Sequence, residues 1–168
     1  MRKKAIGFLS LAVLYCLILS GCFWNAMVLP SKDTIGESKT FQKDGITLVL
    51  TDKFKETESQ AGFDAYYTSD FCGVVVLKEE FSLEAGLSDL PLETYINNVI
   101  ENNGHTGITA QNKDGLWFYE LENGGNHICS YSFKGSDAFW IVQYICRASD
   151  AKMYKDQFFL WAKSVRVD

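Results

Sequence analysis

The sequence is poor in the residues that usually announce chemistry. Its 168 residues include only two histidines, two prolines and five cysteines. His105 and His127 stand in no HExxH, CxxC or CxxxH spacing, so no metal site and no cofactor is expected. Each reads as a surface or core histidine. There is no GxSxG elbow, and Ser136 in "KGSD" reads as a turn residue. His127 and Cys129 fall on one face of a strand, but about 7 Å apart along the backbone. An activated thiolate needs a closer base or cation, so no Cys/His nucleophile is expected. "NGGN" (123–126) opens no helix and reads as a hairpin turn rather than a phosphate cradle. Glu79, Glu80 and Glu84 lack the alternating oxygen ligands and glycine of a calcium loop, and read as a solvated strand end and loop. The sequence therefore predicts a protein that is not an enzyme.

Basic residues are also outnumbered. The leader, residues 1–21, holds three of the 16 Lys+Arg and none of the 21 Asp+Glu. Without it the chain carries 13 basic against 21 acidic residues, a net charge of −8 compared with −5 for the whole. Such a surface repels phosphate backbones and anionic headgroups, which argues against nucleic acid as a partner.

What is present begins with an address. Arg2, Lys3 and Lys4 precede an apolar run from Ala5 to Leu19, the n- and h-regions of a secretory signal. That run is shorter than the roughly 20 apolar residues of a membrane-spanning helix. No Ala-x-Ala site follows; instead Leu19-Ser20-Gly21-Cys22 resembles the lipobox of bacterial lipoproteins. The resemblance implies cleavage before Cys22 and a lipid, palmitate among its acyl chains, on the Cys22 sulfur. The chain would then be held on the extracytoplasmic face of the cell membrane. Two acyl chains give stable anchoring where one does not. Phe23 and Trp24 either seat the anchor at the headgroups or are neutral linker residues.

Residues 22–40 read as a lipidated tether, with a root-mean-square span of roughly 20 to 25 Å if flexible. Residues 41–168 are enough for a single domain. Few prolines and an aromatic content of 14% argue against disorder there. Cys72, Cys129 and Cys146 permit one disulfide at most and leave a thiol over, so the domain depends on its core.

Asp44-Gly45 and Asp114-Gly115 are turn signals, followed by the strands "ITLVL" (46–50) and "LWFYELE" (116–122). "FDAYYTS" (63–69) and "CGVVVLKEEF" (72–81) are further strands. Leu92, Tyr95, Ile96, Val99 and Ile100 mark one face of a helix between Pro91 and Gly104. A second helix is predicted from about Ser149, with Tyr154, Phe158, Trp161 and Val165 on its apolar face. "HICSYSF" (127–133) and "AFWIVQYICR" (138–147) form a predicted hairpin, with Phe133 opposite Ala138. That register places Cys129 and Cys146 four residues out of step, too far for a disulfide. The second strand is apolar on both faces and is expected at the centre of a sheet. The fold class is α+β, an antiparallel sheet packed between helices.

The opening "FQKDGITLVLTDKF", the helix around "LPLETYINNVI", the strand "FWIVQYICR" and the closing "FFLWAKSVRV" resemble the Mog1/PsbP-like family over about residues 41–168. The resemblance implies an α/β/α sandwich that works by binding other macromolecules. It carries no functional residue onto a position here. A protein partner in the cell envelope is the leading expectation. The alternatives are a small-ligand site lined by Trp117, Tyr119 and Trp140, with Tyr131 and Tyr144 nearby, and an unrecognised hydrolase. Core packing accounts equally for those aromatic strands. Tyr66 and Tyr67 are partner-binding candidates if they are exposed together.

Overall fold

The computed structural model describes residues 33–58 and 62–168. Cys22, and with it the expected lipidation site, lies outside the described residues. Three two-residue turns organise the strands, each with two left-handed residues as a tight hairpin requires. Asp44 and Gly45 (φ 46° and 97°) join β1 (Ser38–Lys43) to β2 (Ile46–Thr51). Asp114 and Gly115 (52° and 85°) join β6 (Gln111–Lys113) to β7 (Leu116–Asn123). Gly124 and Gly125 (57° and 81°) join β7 to β8 (Asn126–Lys134). The remaining strands are β3 (Lys55–Glu56), β4 (Ala65–Thr68), β5 (Gly73–Glu80), β9 (Ala138–Arg147) and β10 (Arg166–Val167).

Seven strands form one antiparallel sheet in the order β3-β4-β5-β9-β8-β7-β6, and β1-β2-β10 form a second of three. β9 is the middle strand of the large sheet, as its two apolar faces predict. On one side α1 (Leu92–Asn102) presents Tyr95, Ile96, Val99 and Ile100 to Tyr119, Phe139 and Ile141. On the other, α2 (Ala151–Ser164) and the small sheet bury Tyr154, Phe158, Trp161, Leu48 and Leu50 against Val74, Val142 and Tyr144. The architecture is an α+β sandwich with the large sheet between two helical layers. Among the described residues no helix is long and apolar enough to cross a membrane.

The β8–β9 register differs from the expected one by two residues. Phe133 lies opposite Trp140, not Ala138, because the strands continue until the Gly135 N–H bonds the Ala138 carbonyl at 2.9 Å. Lys134 is held in the strand by its ammonium, which donates to the Ser88 and Leu90 carbonyls at 2.7 and 2.9 Å. An even shift preserves the faces, so Cys129, Tyr131, Trp140 and Val142 still share one side. It also places Cys129 and Cys146 two residues out of step rather than four, with His127 directly opposite Cys146. Cys72, Cys129 and Cys146 are all free and buried. The second helix starts at Ala151, not at Ser149, because Ala148–Asp150 form a 3-10 turn tied by the Ala148 N–H to the Gly125 carbonyl.

Folded structure also reaches upstream of Phe41 into the expected tether. Ser38 to Thr40 pair with Thr51 to Val49. Asp33, only 1% exposed, accepts hydrogen bonds from the Ser69 hydroxyl (2.8 Å) and the Phe71 N–H (3.0 Å). Its own carbonyl accepts from the Thr51 hydroxyl at 2.7 Å. Burial outweighs these bonds and raises the Asp33 pKa above its ordinary 3.8. A raised carboxyl favours the fold while protonated, so this contribution is full below 3.8 and is lost as pH rises through the native value. Asp33→Asn, which keeps an acceptor oxygen without the charge, is expected to gain stability relative to the wild type across that window and to hold the gain above it. Urea midpoints of both proteins over roughly pH 3 to 7 test this; parallel curves would refute it.

Candidate functional site

The aromatic residues expected to line a pocket are divided between the two faces of the large sheet. Trp117, Tyr119 and Leu121 lie on the α1 side, where Tyr119 is fully buried and the other two pack at the margin. Trp140, Tyr131 and Tyr144 are buried on the α2 side, where Tyr144 packs on Tyr131, Phe158 and Trp161 and Trp140 lies against Gly45 and Gly135. Trp140 therefore cannot share a pocket with Trp117 and Tyr119. Tyr67 is buried against Phe41 and Tyr66 is half-buried in the same strand, so they form no exposed patch. Glu79 was expected in solvent, yet it is 5% exposed and accepts a 2.8 Å hydrogen bond from the Tyr95 hydroxyl. The hollow beside it, lined by Leu87, Leu90, Tyr95 and Val99, has no room for a water molecule. His105 lies beside the Tyr119 ring, and burial lowers its pKa.

The structure does assemble three chemically competent side chains. The Gly124-Gly125 turn pairs Asn123 with Asn126, and the ladder then places Glu120 directly opposite Cys129. His127 is two residues from Cys129, so all three project from the α2 face of β7 and β8. The imidazole Nε2 is 3.3 Å from the Cys129 sulfur and 3.9 Å from a Glu120 carboxylate oxygen. Backbone spacing had set His127 and Cys129 too far apart; side-chain reach closes that gap. From α2, the Lys155 ammonium donates to the same Glu120 oxygen at 2.8 Å.

Proximity does not make Cys129 a nucleophile. Burial, and then the Glu120 charge, push its thiol pKa far up. The Cys129 thiol and His127 Nε2 share a hydrogen bond whose direction follows the imidazole tautomer. Cys146, opposite His127, is pushed to about 12 by burial. Cys72 is raised further, again chiefly by burial. These thiols are inert unless something displaces their protons. Glu120 is the member that sequence reasoning missed. Extending the two-residue register of "NGGN" back along both strands would have paired it with Cys129.

No protein-family model matches the sequence, and no curated protein is significantly similar to it. The solution structure of cyanobacterial PsbP (CyanoP) from Synechocystis sp. PCC 6803 is similar in fold, with a TM-score of 0.55 at 14% identity. That likeness covers 84% of this chain and 99% of the CyanoP chain. A crystal structure of a Pseudomonas aeruginosa protein of unknown function matches 74% of this chain and 93% of its own at 12% identity. Its TM-score of 0.40 carries no argument. The domain is PsbP-like in fold, as the core patterns implied, and identity this low speaks to fold alone.

Proposed function

We propose that this chain is a lipoprotein, fastened through Cys22 to the extracytoplasmic face of a cell membrane, and that its domain is a non-enzymatic module for binding an envelope protein. The observation that carries this reading is the commitment of the aromatic strands to packing. Tyr119 and Tyr144 lie under helices and Trp140 is buried against Gly45 and Gly135, which leaves the outer surface as the part that meets a partner. The lipobox and the acidic surface support the setting. The lipid anchor keeps the domain at the membrane, while its charge keeps it off the headgroups. A ligand pocket between Trp117, Tyr119 and Trp140 is disfavoured by their division between two faces. A hydrolase finds no support in protonated, buried thiols.

Cross-linking in native membranes followed by affinity purification of the lipidated chain tests the proposal. One protein recovered in near-equal amount is expected, and its recovery should fall sharply when Cys22→Ala prevents anchoring. Recovery of lipid alone would refute the interaction module.

A further inference from the structure

The cluster of Glu120, His127 and Cys129 has no part in the function proposed above, and the donors it gathers are those of a metal site. We propose that these three side chains bind a borderline divalent transition-metal ion, Zn²⁺ being the best fit, with water in the fourth position. Their ligand atoms all lie within 4.8 Å of one another. Around a tetrahedral Zn²⁺, with Zn–S about 2.3 Å and Zn–N about 2.0 to 2.1 Å, neighbouring donors stand roughly 3.3 to 3.6 Å apart. The separations of 3.3 and 3.9 Å on His127 Nε2 are already close to that. Little rearrangement is needed beyond rotation of the Glu120 carboxylate.

Three features favour this over a merely structural Cys–His hydrogen bond. The donors come from two adjacent strands in a fixed register, which holds their backbones at one spacing. Their chemistry is mixed: thiolate and imidazole select Zn²⁺ over Mg²⁺ or Ca²⁺, which need oxygen ligands. The site also has an entry. Cys129 and His127 are buried, Glu120 is partly exposed, and Lys155, which covers it, has a side chain 59% exposed and free to swing into solvent. On binding, the Cys129 sulfur–hydrogen bond breaks and a sulfur–metal bond forms. The proton leaves to solvent, the ion withdraws charge from the thiolate, and no electron is transferred. Glu120 exchanges the Lys155 ammonium for the metal.

The test is Co²⁺ titration of the metal-free full-length chain in detergent, with Cys16→Ala and Cys22→Ala removing the leader and anchor thiols. One equivalent of Co²⁺ should produce a sulfur-to-cobalt charge-transfer band and the visible bands of a tetrahedral ion, and Zn²⁺ should displace both. Cys129→Ser should abolish the charge-transfer band, while Cys72→Ser should leave it unchanged. Glu120→Gln, on a partly exposed side chain, should weaken Co²⁺ by about tenfold or more. Lys155→Ala removes the competing cation and should tighten binding severalfold, a result that a purely structural Cys–His contact does not produce. No charge-transfer band in excess Co²⁺ would overturn the proposal. So would a band that survives Cys129→Ser, or an affinity indifferent to both Glu120→Gln and Lys155→Ala. None of these outcomes depends on the anchor or on a protein partner.

Discussion

Trp140→Ala is expected to lower the free energy of unfolding by about 3 to 5 kcal/mol, the usual cost of emptying a large aromatic site in a core. Trp140 is 1% exposed and lies on β9, the middle strand of the large sheet. Its ring is enclosed from several directions. The Lys78 ammonium stands 5.2 Å from the ring centroid, and a methyl group added at Gly45 would meet the ring at 3.4 Å. A methyl at Gly135 would approach the indole nitrogen at 3.3 Å and collide with the Asp168 carbonyl. The glycines at both positions allow backbone to close over the ring, so the vacated space cannot readily collapse. The indole nitrogen is buried without a hydrogen-bond partner. Trp140→Phe therefore sacrifices volume but no hydrogen bond, and its cost is expected to be less than half that of alanine, about 1 to 2 kcal/mol. Urea unfolding with an unchanged m-value is the measurement. A loss below about 1 kcal/mol for Trp140→Ala would show the ring to be loosely held and would refute the expectation.

Cys22→Ala is expected to eliminate lipid incorporation completely and to leave the leader attached. Labelling with radioactive palmitate, with the mass of the membrane-associated chain, reads both effects. The residues that carry this expectation are Leu19-Ser20-Gly21-Cys22 after an apolar run with basic residues before it. The resemblance puts the diacylglyceryl group on the Cys22 sulfur, which alanine removes, so no partial effect is expected. A mature chain of unchanged mass, or label that persists, would refute lipidation at Cys22. Membrane retention alone is a poorer measure, because an uncleaved leader is apolar enough to linger in the bilayer.

The two helices and nearly all the long strands were legible because their signals are local. Leu92, Tyr95, Ile96, Val99 and Ile100 repeat at helical spacing, and all but Leu92 are fully buried on α1. The Asp-Gly pairs at 44–45 and 114–115 formed the turns expected of them, since few residues accept a left-handed backbone. The alternation of β9 placed it at the sheet centre because a strand apolar on both faces must be covered on both. The β8–β9 register was not legible. The strands continue until the Gly135 N–H meets the Ala138 carbonyl, and Lys134 is held there by the carbonyls of Ser88 and Leu90, more than 40 residues earlier in the chain.

The candidate metal site shows the same division. Its histidine and cysteine were visible as a pair on one strand, but Glu120 joins them only through the β7–β8 ladder, and Lys155 only through the packing of α2. Asp33 looked like tether until Ser69 and Phe71, over 30 residues away, were brought to its carboxylate. The sequence by itself determined most of the elements, their buried faces and the fold class, because these depend on patterns within a few residues. Tertiary structure alone decided which strand met which in what register, which aromatics shared a face, and which polar side chains became buried partners. Those depend on contacts between distant segments, where side-chain reach and the exclusion of water, rather than local propensity, set the geometry.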